Sequence, residues 1–97
     1  MNRFGRRIRE LRATKKLLLR QVASNLETDT AHISKLERGE RKAKKEQVLK
    51  LAQILNADFD ELLTFWLADQ VYELVKNERN AIQALEIVKT EMTDKDI

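Results

Sequence analysis

At 97 residues the chain has room for one domain built on a single modest core, which excludes a large multidomain enzyme. Hydrophobic residues make up 42% and charged residues 36%, with no proline, two glycines and no cysteine; this favours helices over turn-rich sheet and excludes disulfides, thiolate metal sites and thiol nucleophiles. The net charge of +3 conceals a division: residues 1–56 carry fifteen Lys and Arg against six Asp and Glu, whereas residues 57–97 carry four against ten. A basic block of that size is the electrostatic footprint expected for a polyphosphate partner, and the acidic block should stay away from one. The basic start from Met1 to Arg7 is followed by no apolar run of signal or membrane length, so a soluble, cytoplasmic protein with no membrane partner is expected.

Phe4, Ile8 and Leu11 recur at helical spacing with arginines on the other faces, predicting an amphipathic first helix over residues 3–14. A short second helix is predicted over Leu19–Leu26, with Val22, Ala23 and Leu26 turned inward. Thr28-Asp29 then offers a cap. The Asp29 carboxylate can accept from the free amides of a third helix running to about Glu37, with Ile33 and Leu36 inward and Gly39 supplying the left-handed residue that ends it. Beyond the basic connection from Glu40 to Lys45, Val48, Leu51, Ala52 and Leu55 form the apolar stripe of a fourth helix. Asn56 and Ala57 close that helix. Asp58, with Glu61 three residues on, has the pattern of a capping box opening a fifth helix beside Phe59, Leu62 and Leu63.

The remaining residues keep helical character. Leu67, Val71, Leu74, Glu78, Ala81, Leu85, Val88 and Met92 follow steps of four and three, the spacing of a coiled-coil seam, interrupted only by Glu78. Such a stripe packs either on a partner subunit or back onto the first five helices. Dimerisation is the expectation, through Leu67, Val71, Leu74, Leu85 and Val88. Phe65, Trp66 and Tyr72 are more apolar than a solvent-exposed arm needs. The run Asn77-Glu78-Arg79-Asn80 is suited to breaking the segment in two, with either asparagine as a cap.

Two short helices joined by about three residues, the second capped by a small polar residue, have the form of a helix-turn-helix unit. Ala23 falls where the two helices cross closely, and Ile33 and Leu36 pin the second to the first. The run Ile33-Ser34-Lys35-Leu36-Glu37-Arg38-Gly39-Glu40-Arg41, with Ile8-Arg9-Glu10-Leu11-Arg12 before it and Phe59-Asp60-Glu61-Leu62-Leu63 after it, resembles the phage repressor and Cro family of regulators, the xenobiotic-response-element type. The resemblance covers roughly residues 3–63. It implies an all-α fold: a five-helix, lambda-repressor-like DNA-binding domain over residues 1–63, followed by a C-terminal helical extension over residues 64–97.

The same resemblance implies roles for individual residues. Thr30, Ala31, Ser34 and Lys35 should look into the major groove, where Lys35 can donate to guanine O6 and N7 and the methyl groups of Thr30 or Ala31 can pack on a thymine methyl. Arg38, Arg41 and Lys42, in and after the end of that helix, should lie along the sugar-phosphate backbone, joined by Arg20. His32 is expected to pack or to contact a phosphate. Arg12 and Glu37 resemble the charge pair that links the first helix to the third beneath the DNA-facing surface. Two positions depart from the family pattern. Leu18-Leu19 stands where a Ser-Gln pair usually caps the second helix and holds a phosphate, so no side chain can make that contact here. Glu27 stands where a glycine usually takes positive φ, and must accept that conformation or reshape the turn.

The function so implied is sequence-specific binding of double-stranded DNA by a homodimeric transcriptional regulator on a palindromic operator. The rival reading is an interaction module, an antitoxin or accessory subunit whose C-terminal helices grip a second protein. An enzyme is argued against by one histidine, no cysteine, no serine nucleophile elbow and no glycine-rich phosphate loop. A lone histidine without carboxylates at ligand spacing makes no metal site, and no cofactor is expected.

Overall fold

The computed structural model describes residues 2–95 and is all-helical over them. Six helices run in order: α1 (Arg3–Thr14), α2 (Leu19–Asn25), α3 (Thr30–Arg38), α4 (Lys45–Ile54), α5 (Phe59–Val75) and α6 (Ala81–Lys95). The sixth arises because the C-terminal segment breaks between Lys76 and Asn80, so the four-three seam from Leu67 to Met92 is carried by two helices rather than one.

The first four helices end alike. Each closes with a residue in the left-handed region: Lys16 (φ 56°), Glu27 (φ 60°), Gly39 (φ 74°) and Asn56 (φ 50°). The next amide reaches back to the last turn, with Leu17 donating to Arg12, Thr28 to Ala23, Glu40 to Lys35 and Ala57 to Ala52. These paired bonds satisfy carbonyls that would otherwise be orphaned and reverse the chain within two residues. Glu27 therefore takes the strained conformation itself, and the turn keeps the shape a glycine would give it.

Helix starts are supplied as locally. The Asn2 side chain accepts from Gly5 N at 2.7 Å, Asp29 from His32 N at 2.7 Å and Asp58 from Asp60 N at 2.9 Å. Leu18 and Lys44 have no side-chain oxygen to offer. At those starts only the reverse half of a capping box forms, Gln21 Oε1 accepting from Leu18 N at 2.7 Å and Gln47 Oε1 from Lys44 N at 2.9 Å. The box expected from Asp58 and Glu61 is likewise half made. Glu61 turns instead to the Arg7 guanidinium at 2.6 Å, tying α5 to α1.

The core is one cluster of Phe4, Ile8, Val22, Ala23, Leu26, Ile33, Leu36, Ala43, Val48, Leu51, Ala52, Leu55 and Leu62. It forms where α1 packs on α3 and α5, and α2 on α3 and α4, with α4 also against α5. Gly5 lies at the crossing of α1 and α3. A Cβ there would run into the backbone carbonyls of Leu36 and Glu37, so only glycine allows this approach.

One feature departs from the predicted organisation. The boundary expected at Leu63 falls inside α5, which continues unbroken to Val75. The continuation is bound to the first five helices: Asp69, buried to 7% exposure, accepts from the backbone amides of Arg3 (3.1 Å) and Phe4 (2.9 Å), with the Arg3 guanidinium at 3.4 Å. A carboxylate on the first free amides of a helix also meets the positive end of its dipole. Of the two courses open to the C-terminal stripe, folding back as a satellite of the core is not the one taken. Among the described residues α6 has no buried side chain, and Leu67, Val71, Leu74, Val88 and Met92 are exposed.

Candidate nucleic-acid interface

The third helix has two unlike faces. Ile33, Leu36 and Glu37 are buried, so Thr30, Ala31, Ser34 and Lys35, offset by one position, fall on the opposite side. Thr30 and Ala31 are exposed, and Ser34 and Lys35 are half-buried. The four predicted base-reading residues thus share one solvent-facing strip. Ser34 is partly committed, its hydroxyl accepting from Arg38 Nη1 at 2.7 Å, whereas the Lys35 ammonium makes no hydrogen bond among the described residues.

Beneath this strip lies the Arg12–Glu37 pair. Arg12 Nε donates to Glu37 Oε2 at 2.6 Å and Nη2 to Oε1 at 3.1 Å, a two-pronged contact, while Nη1 donates to the Leu17 carbonyl at 3.0 Å. Only 18% of the arginine side chain and 6% of the glutamate's is exposed. The hydrogen bond to Glu37 raises the Arg12 guanidinium above its ordinary value against the opposing effect of burial. The pair joins α1 to the last turn of α3 and so holds that helix at its angle.

The predicted backbone-contacting residues divide into three groups. Arg20 is exposed near the start of α2 and makes no hydrogen bond among the described residues. Arg38 is exposed but engaged, pairing with Glu40, and their hydrogen bonding raises the guanidinium and lowers the carboxyl. Arg41 and Lys42 project from the loop between α3 and α4. Arg41 Nη1 lies 3.0 Å from His32 Nδ1 and Lys42 Nζ lies 3.4 Å from Gln70 Oε1. An arginine can only donate, so Nδ1 accepts and the ring proton of His32 sits on Nε2. Nε2 is shielded and has no hydrogen-bond partner among the described residues. His32 accordingly supports Arg41 from α3, and neither ring nitrogen is turned out toward solvent.

Several site residues escape a reading of the sequence. Trp66 donates its indole N–H to the Ala43 carbonyl at 2.8 Å, and Gln70, one turn further, meets Lys42. Asp69 caps α1, and Arg3 stacks over the Tyr72 ring at 5.6 Å. Their common signal is register: Leu62, Trp66 and Asp69 recur at steps of four and three on the inward face of α5, continuing the core stripe past Leu63. The predicted dimerisation residues Leu67, Val71 and Leu74 occupy the other side of the same helix. Val88 is exposed and Leu85 half-buried on α6. Among the described residues no group of three His, Asp or Glu stands together as a metal site, and no helix is long and apolar enough to cross a membrane.

Comparison with known proteins agrees with this architecture. A family model described as "Helix-turn-helix domain" matches residues 3–65. The uncharacterised HTH-type transcriptional regulator RghRB of Bacillus subtilis is 38% identical over 64 residues, covering 65% of this chain and 46% of the relative. The chain thus matches about half the length of that curated relative. Among solved structures, the restriction-modification controller protein C.AhdI from Aeromonas hydrophila is similar with a TM-score of 0.57 and 37% identity, covering 61% of this chain and 86% of that one. The clp gene regulator ClgR from C. glutamicum is similar with a TM-score of 0.59 and 26% identity, covering 68% and 86%. Since the family model spans α1 to α4 and the opening of α5, where the two-faced third helix and its basic loop reside, the chain belongs to the helix-turn-helix domain family, in its phage repressor and Cro type.

Proposed function

We propose that this chain is a transcriptional regulator that binds a palindromic site in double-stranded DNA as a homodimer. The observation that carries the reading is the third helix. Thr30, Ala31, Ser34 and Lys35 form an open strip on a rigid base of buried Ile33, Leu36 and Glu37, flanked by the cations of the following loop. That arrangement suits base edges in a major groove with phosphates alongside. Two of the similar proteins are described as a controller and a gene regulator, which supports a regulatory role here.

Dimerisation is supported by the unusual character of α5. Its inward face, with Leu62 and Asp69, is buried in the fold, yet its outward face carries Leu67, Val71 and Leu74, exposed by 50%, 43% and 79%. A helix apolar on both sides is one that is meant to be covered on both sides. On this reading the DNA-binding unit reaches into α5 as far as Gln70, and the outer face of α5, with Leu85 and Val88 of α6, meets a second copy.

Selection of bound sites from random duplexes, with sedimentation of the free protein, tests both parts. The expected outcome is an inverted repeat with half-sites about one DNA turn, roughly 34 Å, apart and a dimer that Leu74→Glu dissociates without loss of helicity. No enriched sequence would remove the DNA reading. A monomer at tens of micromolar, or an enriched single half-site, would remove the dimer and leave the C-terminal helices to a different protein partner.

A further inference from the structure

We infer that Trp66 and Gln70 are positioning residues for the phosphate-gripping loop, so that α5 controls the strength with which the protein holds the DNA backbone; this rests on the DNA-binding reading above. The loop from Gly39 to Lys44 has no regular structure. At its start Glu40 N is bonded to Lys35 O, and at its end Lys44 N is held by Gln47. Between these points, among the described residues, the backbone of Arg41, Lys42 and Ala43 makes one hydrogen bond only. It is the 2.8 Å bond from Trp66 Nε1 to the carbonyl of Ala43, whose methyl is sunk in the core at 1% exposure.

The side chains repeat the pattern. Gln70 Nε2 donates to the Trp66 carbonyl at 3.3 Å, which turns Gln70 Oε1 toward Lys42 Nζ. Arg41 leans on His32 of the recognition helix. The two loop cations are therefore held from opposite sides, Arg41 by α3 and Lys42 by α5, with the backbone of the next residue, Ala43, fastened to the indole. A cation on an already fixed backbone meets a phosphate at lower cost, because ordering a free loop at the moment of binding costs conformational entropy. Trp66 and Gln70 fix it beforehand, and they belong to the helix whose outer face is the proposed dimer surface.

Trp66→Phe keeps an aromatic ring and deletes the donor. Gln70→Met keeps length and deletes the amide from a half-buried position, so it remains informative if the first variant folds poorly. Binding of each to a mixed-sequence duplex of about 30 base pairs, followed by anisotropy across salt concentration, reads the contacts directly, since each localised phosphate contributes about 0.9 to the slope of log K against log salt. Both variants should keep helicity and oligomeric state. Gln70→Met should flatten the slope by about one and Trp66→Phe by one to two, with roughly tenfold weaker binding near 0.1 M salt. Arg41→Ala and Lys42→Ala should cost less in the Trp66→Phe background than in the parent, because residues acting as one unit are not additive.

Unchanged slopes, or fully additive losses, would reduce Trp66 to a packing residue and overturn the inference while leaving DNA binding intact. A parent protein whose affinity for the duplex shows no salt dependence would instead overturn the DNA-binding reading on which it stands.

Discussion

The Arg12–Glu37 pair offers the sharpest test of how the recognition helix is held. Glu37 has 6% of its side chain exposed, and both carboxylate oxygens are taken by Arg12, at 2.6 and 3.1 Å. Arg12→Met removes both bonds and strands a carboxyl group that is almost wholly buried. Loss of one partner from a buried pair typically costs about 3–5 kcal/mol, against a total stability of about 5–15 kcal/mol for a domain of this size. The variant should lose a large part of its resistance to urea. Glu37→Leu strands the arginine instead, but Arg12 is 18% exposed and can recover some hydration, so its loss should be the smaller of the two. The double variant removes both charges and fills the space with apolar atoms, which is often close to neutral. A double-mutant cycle from urea melts with matching slopes should therefore yield a coupling at least as large as the Arg12→Met loss alone, about 3 kcal/mol or more in favour of the native pair. A coupling below about 0.5 kcal/mol, the value for an exposed ion pair, would refute the claim that this contact anchors α3 to α1.

Three further outcomes are expected. Glu27→Gly should stabilise by about 1 kcal/mol in thermal or urea melts, because a left-handed β-carbon at φ 60° is relieved at a site whose hydrogen bonds do not involve the side chain. Gly5→Ala should destabilise by about 1–3 kcal/mol, since the new methyl meets the Leu36 and Glu37 carbonyls and neither backbone can yield without parting α1 from α3. On the selected operator, Lys35→Ala should cost about 1–3 kcal/mol and relax preference at one base pair, whereas Arg41→Ala should weaken all sequences alike and shallow the salt slope by about one. Competition binding with a panel of single-base operator variants separates the two.

Much of the fold is legible because its signals are local. Asp29 before the third helix, Gly39 after it and the stripe Val48, Leu51, Ala52, Leu55 each act within one or two turns of their own position, and the structure shows each where the spacing places it. What escapes is decided by residues distant in the chain. Glu61 reads as the partner of Asp58 but is taken by Arg7, 54 residues away. Asp69 looks like one more solvated acid in an acidic half, and only the arrival of the α1 amides, 65 residues earlier, makes it a cap. Lys16 adopts a left-handed turn that its identity scarcely announces. The strip of Thr30, Ala31, Ser34 and Lys35 is what the family resemblance implies, and the buried period of Ile33 and Leu36 leaves that side of α3 open, whereas the restraint on Arg41 and Lys42 depends on where α5 passes the loop.

The course of α5 also bears on how two copies would read one operator. A dimer joined through a flexible tether raises local concentration but tolerates many half-site separations, because the linker takes up the difference. Here the exposed face of Leu67, Val71 and Leu74 lies on a helix whose other side is fixed to the N-terminus of α1 by Asp69 and to the α3–α4 loop by Trp66. No linker intervenes between that face and the recognition helix. Two copies meeting through it would hold their third helices at one separation and orientation, set by packed side chains, and a half-site displaced by even one base pair would have to strain the DNA or the dimer. Charge acts in the same sense. The acidic residues 57–97 are repelled by phosphates, so the paired C-terminal helices would stay away from the duplex while the basic residues of the first half face it. Spacing discrimination would then be a property of the fold itself, built into the helix that serves core, loop and partner at once.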